Sequence, residues 1–137
     1  MNTTPTILLI EDTSSLQMVY ESVLRHAGYQ VHVAGTAADG LVAFRTLRPR
    51  VVLLDLMLPD RDGLDLMRDM LALQQDAVVI VITANGSINK AVQAMRMGAQ
   101  DVLVKPFDEQ RFLAAIKNAH ILGGSPAAVA QAGAGAG

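Results

Sequence analysis

Short unbroken aliphatic runs alternate along this chain with longer stretches in which apolar residues recur every three or four positions. A run of the first kind reads as a strand buried on both faces, and the second spacing as a helix with one apolar stripe. Thr6-Ile7-Leu8-Leu9-Ile10 is the first strand, and it runs into Glu11-Asp12. Thr13, Ser14 or Ser15 can cap the helix that follows. Its stripe is Leu16, Val19, Tyr20, Val23, Leu24 and Ala27, with Gly28 as its stop. Gln30 to Ala34 is a second strand, Val31 and Val33 alternating with polar neighbours. Ala37, Leu41 and Phe44 mark a second helix, closed before Pro49.

The third run, Val51-Val52-Leu53-Leu54, ends in Asp55, and Pro59 keeps the ladder from going further. Gly63 opens a third helix carrying Leu66, Met67, Met70 and Leu71. Ala77 to Thr83 is a fourth strand. Asn85-Gly86-Ser87 is a turn, with Ser87 as cap, and Ile88, Ala91, Val92 and Met95 line the fourth helix up to Gly98. Asp101 to Lys105 is a fifth strand, before Pro106, and Phe112, Ala115, Ile116 and Ala119 form the inner face of a fifth helix. Five such alternations predict an α/β fold, a doubly wound parallel sheet with helices on both faces and right-handed crossovers. The domain is expected over residues 1–122. Residues 123–137, Gly-Gly-Ser-Pro and then mostly Ala and Gly, have no bulky side chain to bury and read as a flexible tail or linker.

Composition narrows the function. Only 4% of residues are aromatic against 51% apolar, so the core must be Leu, Val, Ile, Ala and Met. A formal charge of −2 without a basic patch gives no footing for direct nucleic-acid contact. With no cysteine, disulfides, thiolate metal sites and cysteine nucleophiles are excluded. The apolar runs are too short for a membrane span. Met1-Asn2-Thr3-Thr4-Pro5 lacks the features of a signal peptide, so a cytoplasmic protein is expected.

In a parallel sheet the carboxyl ends of the strands share one edge. There the first strand leads to Glu11 and Asp12, the third to Asp55, the fourth to Thr83 and the fifth to Lys105. Singly, each has an ordinary explanation: a cap, a β-branched residue, a solvated charge. Together they are three carboxylates, a hydroxyl and an ammonium. The carboxylates repel unless neutralised, and Lys105 offsets only one of them. A hard, oxygen-only site of this charge suits Mg²⁺, which brings waters and favours phosphate oxygens. Asp55 ends the central strand and is the best nucleophile. Mg²⁺, Lys105 and the Thr83 hydroxyl would hold the three oxygens of a phosphoryl group.

Glu11-Asp12, Asp55 with Pro59 and Gly63, Thr83-Ala84 and Lys105-Pro106-Phe107 together resemble the receiver domains of two-component response regulators. The resemblance runs over about residues 5–121. It implies a flavodoxin-like (βα)5 sheet in the order 2-1-3-4-5. It implies that Asp55 accepts a phosphoryl group from a sensor histidine kinase or a histidine phosphotransfer protein, the chain being a switch with slow self-dephosphorylation rather than an enzyme. Asp12, Asp55 and the backbone carbonyl of Met57 would bind Mg²⁺, with Glu11 acting through water. Thr83 and Lys105 would report the phosphorylated state, and Lys105–Pro106 would be cis.

Thr83-Ala84-Asn85-Gly86-Ser87-Ile88, with Ala91 to Met95 and Gly98-Ala99, looks most like receivers of nitrogen-regulatory-type activators. In those proteins an ATPase domain and a DNA-binding domain follow, and the output is transcription. One position departs from the pattern: Val102 stands where many receivers carry Tyr or Phe. Lys90, Arg96, Asp101, Asp108, Glu109, Arg111 and Lys117 place both signs of charge on the fourth helix, fifth strand and fifth helix, a face suited to a homodimer.

Three rivals share parts of this pattern. A flavodoxin-like electron carrier would bind its phosphate at Thr13-Ser14-Ser15, but Glu11 and Asp12 would repel it and no Trp is present to stack on a flavin. An aspartyl phosphohydrolase would carry a second acid two residues past its nucleophile, where this chain has Met57. A degenerate receiver serving only as an interaction module would lack part of the site, whereas all five residues are here.

Overall fold

The aliphatic runs all form strands in the computed structural model, which describes residues 6–122. The strands are β1 (Thr6–Ile10), β2 (Gln30–Ala34), β3 (Val51–Asp55), β4 (Val78–Ala84) and β5 (Asp101–Lys105). The helices are α1 (Ser14–His26), α2 (Ala37–Leu47), α3 (Gly63–Leu73), α4 (Ile88–Met97) and α5 (Glu109–Leu122). One parallel sheet results, in the order β2-β1-β3-β4-β5. β3 is central, with Leu54 paired to Ile10 on one side and Val81 on the other.

Side chains of a strand alternate between faces, so an unbroken apolar run feeds two cores. Leu8, Ile10, Val52, Leu54, Val79 and Val81 lie under α2, α3 and α4. Ile7, Leu9, Val51, Leu53, Ile80, Ile82 and Leu103 lie under α1 and α5. Each such side chain contributes roughly 1.5–3 kcal/mol when fully buried. This two-sided burial is why β3 needs no polar alternation, and why Asp55 at its end is held in place by well-packed neighbours.

The predicted stripes hold on α2, α3 and α5 and need correction on α1 and α4. On α1, Tyr20 and Leu24 point inward, while Val19 and Ala27 are exposed. Val19 lies about 100° round the helix from Tyr20, outside the narrow line along which α1 meets the sheet. On α4, Ile88, Val92 and Met95 are 73%, 44% and 49% exposed. Ala94 is its one fully buried residue, and Met97 packs partly beside it. The helical period is as read from the sequence, but the helix is rotated so that its small residues face the sheet. The Ser87 and Thr13 side chains also make no capping hydrogen bond. Residues 123–137, expected to be a tail, lie outside those described.

Gly63 shows how tightly the segment after β3 is folded back. A Cβ there would lie 2.6 Å from the Leu56 Cα and 2.9 Å from the Leu56 carbonyl oxygen, backbone that cannot give way. Gly63→Ala is therefore expected to cost about 1–3 kcal/mol. Gly40→Ala should cost less, because its Cβ would meet the movable Ile10 Cδ1. Urea unfolding compares the two, and an unchanged midpoint for Gly63→Ala would contradict the close approach.

Candidate functional site

Asp55 is the last residue of β3 and is 2% exposed. Both of its carboxylate oxygens are engaged. Oδ1 accepts from the Met57 N–H at 2.8 Å, and Oδ2 accepts from the Lys105 ammonium at 2.9 Å. Lys105 arrives from the end of β5, and the Lys105–Pro106 bond after it is cis. Burial pulls the Lys105 pKa down, but the Asp55 and Glu11 carboxylates outweigh that and raise it. The ammonium therefore stays charged at neutral pH.

Glu11 follows β1 and is fully buried. Its N–H still bonds the Ala34 carbonyl, so the backbone ladder carries it to the strand ends. Oε2 accepts from the Thr13 N–H at 3.1 Å. Oε1 is buried without a hydrogen-bond partner, with the Lys105 ammonium 3.8 Å away. Burial, and then the neighbouring Asp55 carboxylate, push the Glu11 pKa up to about 7. Asp12 beside it is exposed. One carboxylate oxygen from each of Glu11, Asp12 and Asp55 lies within 4.8 Å of the others. Thr83 sits at the same edge, one residue from the end of β4 and 2% exposed.

A buried carboxylate oxygen without a donor costs free energy unless a cation or proton meets it. Glu11 Oε1 is such an oxygen, and with Asp12 and Asp55 at this spacing it completes a set of three hard oxygen donors that fits a small divalent cation. Glu11, Asp12, Asp55, Thr83 and Lys105, five of the residues singled out in the sequence, thus meet at one edge. The sixth, Met57, is tied to Asp55 through its N–H, and its side chain is exposed.

Two features of the site had no signature in the sequence. The loop between β3 and α3 is fastened to its surroundings by its own charged residues. Asp60 accepts from the Ala37 and Ala38 N–H groups at the start of α2. Arg61 pairs with Asp69 of α3. Asp62 caps α3 through the Leu64 N–H and pairs with Lys90 of α4. The second feature is a ring cluster behind Lys105. Tyr20 of α1 stacks on Phe107 with centroids 5.7 Å apart, and both rings pack against Phe112. Asp60 is 23 residues from Ala37 and Tyr20 is 87 from Phe107, so only the folded topology reveals either contact.

Residues 7–117 match the family model of the response regulator receiver domain. The regulatory protein LuxO of Vibrio vulnificus is 39% identical over 111 residues, which are 81% of this chain and 24% of LuxO. The chemotaxis protein CheY of Thermotoga maritima is 30% identical over 113 residues, 80% of this chain and 92% of CheY. A crystal structure of NtrX from Brucella abortus superimposes with a TM-score of 0.87 at 27% identity, over 94% of this chain and 29% of NtrX. The chain spans about a quarter of the length of the LuxO-type relatives it matches.

Proposed function

The chain belongs to the response regulator receiver family, within the branch found in AAA+ enhancer-binding activators, and from that premise we propose that Asp55 is its phosphoacceptor. The observation that carries this reading is the Asp55 carboxylate, buried at the end of the central strand and held by Met57 and Lys105 beside two further acids. An Asp55 oxygen attacks the phosphorus of a phosphohistidine on a sensor histidine kinase or a histidine phosphotransfer protein. The P–N bond breaks, its electron pair leaves with the imidazole, and an acyl phosphate forms on Asp55. Water later cleaves that acyl phosphate slowly, releasing phosphate and restoring the carboxylate.

Asp12, Asp55 and the Met57 carbonyl would hold Mg²⁺, with Glu11 reaching it through water. The ion supplies charge neutralisation for the incoming phosphoryl oxygens. Lys105 moves from Asp55 Oδ2 to a phosphoryl oxygen, and the Thr83 hydroxyl donates to another. The test is the mass of the protein after treatment with acetyl phosphate, with and without Mg²⁺. One added phosphoryl group, only with the metal, is the expected result; no uptake in Mg²⁺ would end the reading. Asp12→Ala is expected to weaken Mg²⁺ binding about tenfold or more, and Glu11→Gln less, because Asp12 is a direct ligand. Equal affinity in wild type and Asp12→Ala, by calorimetric titration, would contradict that assignment.

The switch is proposed to run through α4. Val102 offers no ring to swing on β5 and has a stiff χ1, whereas α4 is the loosely held helix. It buries one residue, its N-cap lacks a side-chain bond, and Gly86 before it has a φ of 101°, which a side chain would oppose. Beryllofluoride, a mimic of the bound phosphoryl group, should therefore shift amide resonances of residues 84–92. Shifts confined to the neighbours of Asp55 would refute this route. The face of α4, β5 and α5 supplies the output surface, and the second copy it would take is a homodimer partner. Part of its charge is used within the chain: Arg111 bonds both Asp101 oxygens at 2.8 and 2.9 Å, and Lys90 holds Asp62. The output proposed is transcription, through a separate effector domain.

A further inference from the structure

Three consecutive residues after the proposed phosphoacceptor each reach a different helix, and one of these contacts differs in kind. Asp60 uses both carboxylate oxygens, on the Ala37 N–H at 2.8 Å and the Ala38 N–H at 2.9 Å. These donors belong to the first turn of α2, where no helical carbonyl can satisfy them. They also carry the positive end of the helix dipole. Charge-assisted bonds to fixed backbone are among the stronger kinds. The Arg61–Asp69 and Asp62–Lys90 pairs each join two partly exposed, freely rotating side chains, a type worth little; Asp60 is exposed too, but both of its partners are fixed backbone donors. Asp60 is thus the firm tie between this loop and a helix that neither precedes nor follows it directly.

What the loop carries gives that tie its meaning. The Met57 N–H orients Asp55 Oδ1 at 2.8 Å. Met57 in turn is bridged to Asp62, and the Leu56 carbonyl accepts from the Gly63 N–H at 3.1 Å. The loop is therefore closed on itself between Leu56 and Gly63. Asp60 at its outer edge fixes that loop against α2. We propose that Asp60 is a positioning residue for phosphoryl acceptance, holding the backbone of Met57 where its N–H orients the Asp55 carboxylate and its carbonyl, in the next peptide unit, would serve the metal. This inference rests on the reading of Asp55 as phosphoacceptor. Asp60 touches no reacting atom. The amides of Ala37 and Ala38 hold its carboxyl below the usual range, so the clamp stays charged at neutral pH.

Thr36 provides a control on the same helix. Its Oγ1 accepts from the Asp39 N–H at 3.1 Å, so Thr36→Ala uncaps α2 without touching the loop. Wild type, Asp60→Ala, Asp60→Asn and Thr36→Ala are compared as full chains at a temperature where circular dichroism shows each folded. Three quantities are read: hydrogen exchange at the Met57 amide without metal, Mg²⁺ affinity by calorimetry, and the acetyl phosphate dependence of phosphoryl uptake. Asp60→Ala is expected to speed exchange at Met57, to weaken Mg²⁺ about tenfold, and to lower the saturating rate without changing the half-saturating donor concentration. Asp60→Asn should fall between, since its amide oxygen can accept one of the two N–H groups while its NH₂ opposes the other. Thr36→Ala should lower thermal stability alone. Wild-type exchange and affinity in both Asp60 variants, or the same losses in Thr36→Ala, would overturn the proposal. If wild type takes up no phosphoryl group, the phosphoacceptor reading fails; the Met57 exchange still reports the clamp on its own.

Discussion

Asp55→Asn is expected to take up no phosphoryl group under conditions that modify the wild-type chain fully. The substitution keeps size and shape, so the strand and its cores stay intact. What it removes is the one nucleophile at the end of β3. A carboxamide oxygen carries no charge to donate, and its NH₂ is not a nucleophile at neutral pH. Glu11 cannot substitute: one of its oxygens is bound to the Thr13 N–H, and its proton affinity is raised. Asp12 is exposed and sits outside the grip of Lys105, whose contacts are Asp55 and Glu11. Mass measurement after acetyl phosphate and Mg²⁺ checks the outcome. Equal uptake by Asp55→Asn would move the acceptor elsewhere.

The metal-free protein should lose stability as the pH rises from about 4.5 to about 7. The folded chain holds a proton on Glu11 up to about 7, because burial and then Asp55 disfavour its charge, while the unfolded chain releases it near 4.5. Between those values the folded state binds more protons, so raising the pH favours unfolding. The stabilising contribution is complete below the lower value and gone above the upper one. Its ceiling is between about 3 and 4 kcal/mol, from about 1.4 kcal/mol per pH unit over the shift from 4.5 to about 7.

Other shifted groups act outside this window. Lys105 is raised, burial notwithstanding, by its carboxylate partners, so its contribution is lost only above its ordinary 10.5. Asp60 and Asp62 are lowered by the backbone amides they cap, and their contributions fade only below 3.8. Urea unfolding in a chelator across this range checks the slope. Glu11→Gln should flatten it, and Mg²⁺ should reverse it by favouring the ionised form. A Glu11→Gln slope equal to wild type would remove Glu11 as the cause.

The sheet and the five converging residues were legible because both depend on local patterns. Val51 to Leu54 has no polar face, so it can only be an inner strand, and in a parallel sheet the residue after it must lie at the ligand edge. The branch of the family was legible too, in the Thr83 to Ile88 segment. The phase of α4 was not. Periodicity assigns an apolar stripe without saying whether protein or solvent meets it, and here Ala94 was small enough for the helix to sit on its other side. The loop clamp was illegible for a different reason. Asp60 reads as a turn residue until the fold brings the start of α2 beside it.

The ring cluster behind Lys105 gives the molecule its own optical label. The chain has no tryptophan and two tyrosines, so its near-ultraviolet emission comes from Tyr20 and Tyr29 alone. Tyr20 is buried, stacked on Phe107, and Phe107 stands two residues beyond the ammonium that bonds Asp55. Tyr29 stacks instead on His120 of α5, with centroids 4.9 Å apart, among side chains that take no part in the acidic site. A Tyr20→Phe variant isolates the signal of Tyr29, and Tyr29→Phe isolates that of Tyr20. The unlabelled protein thus carries one chromophore stacked beside the acidic site and a second, remote from it, that serves as its internal reference.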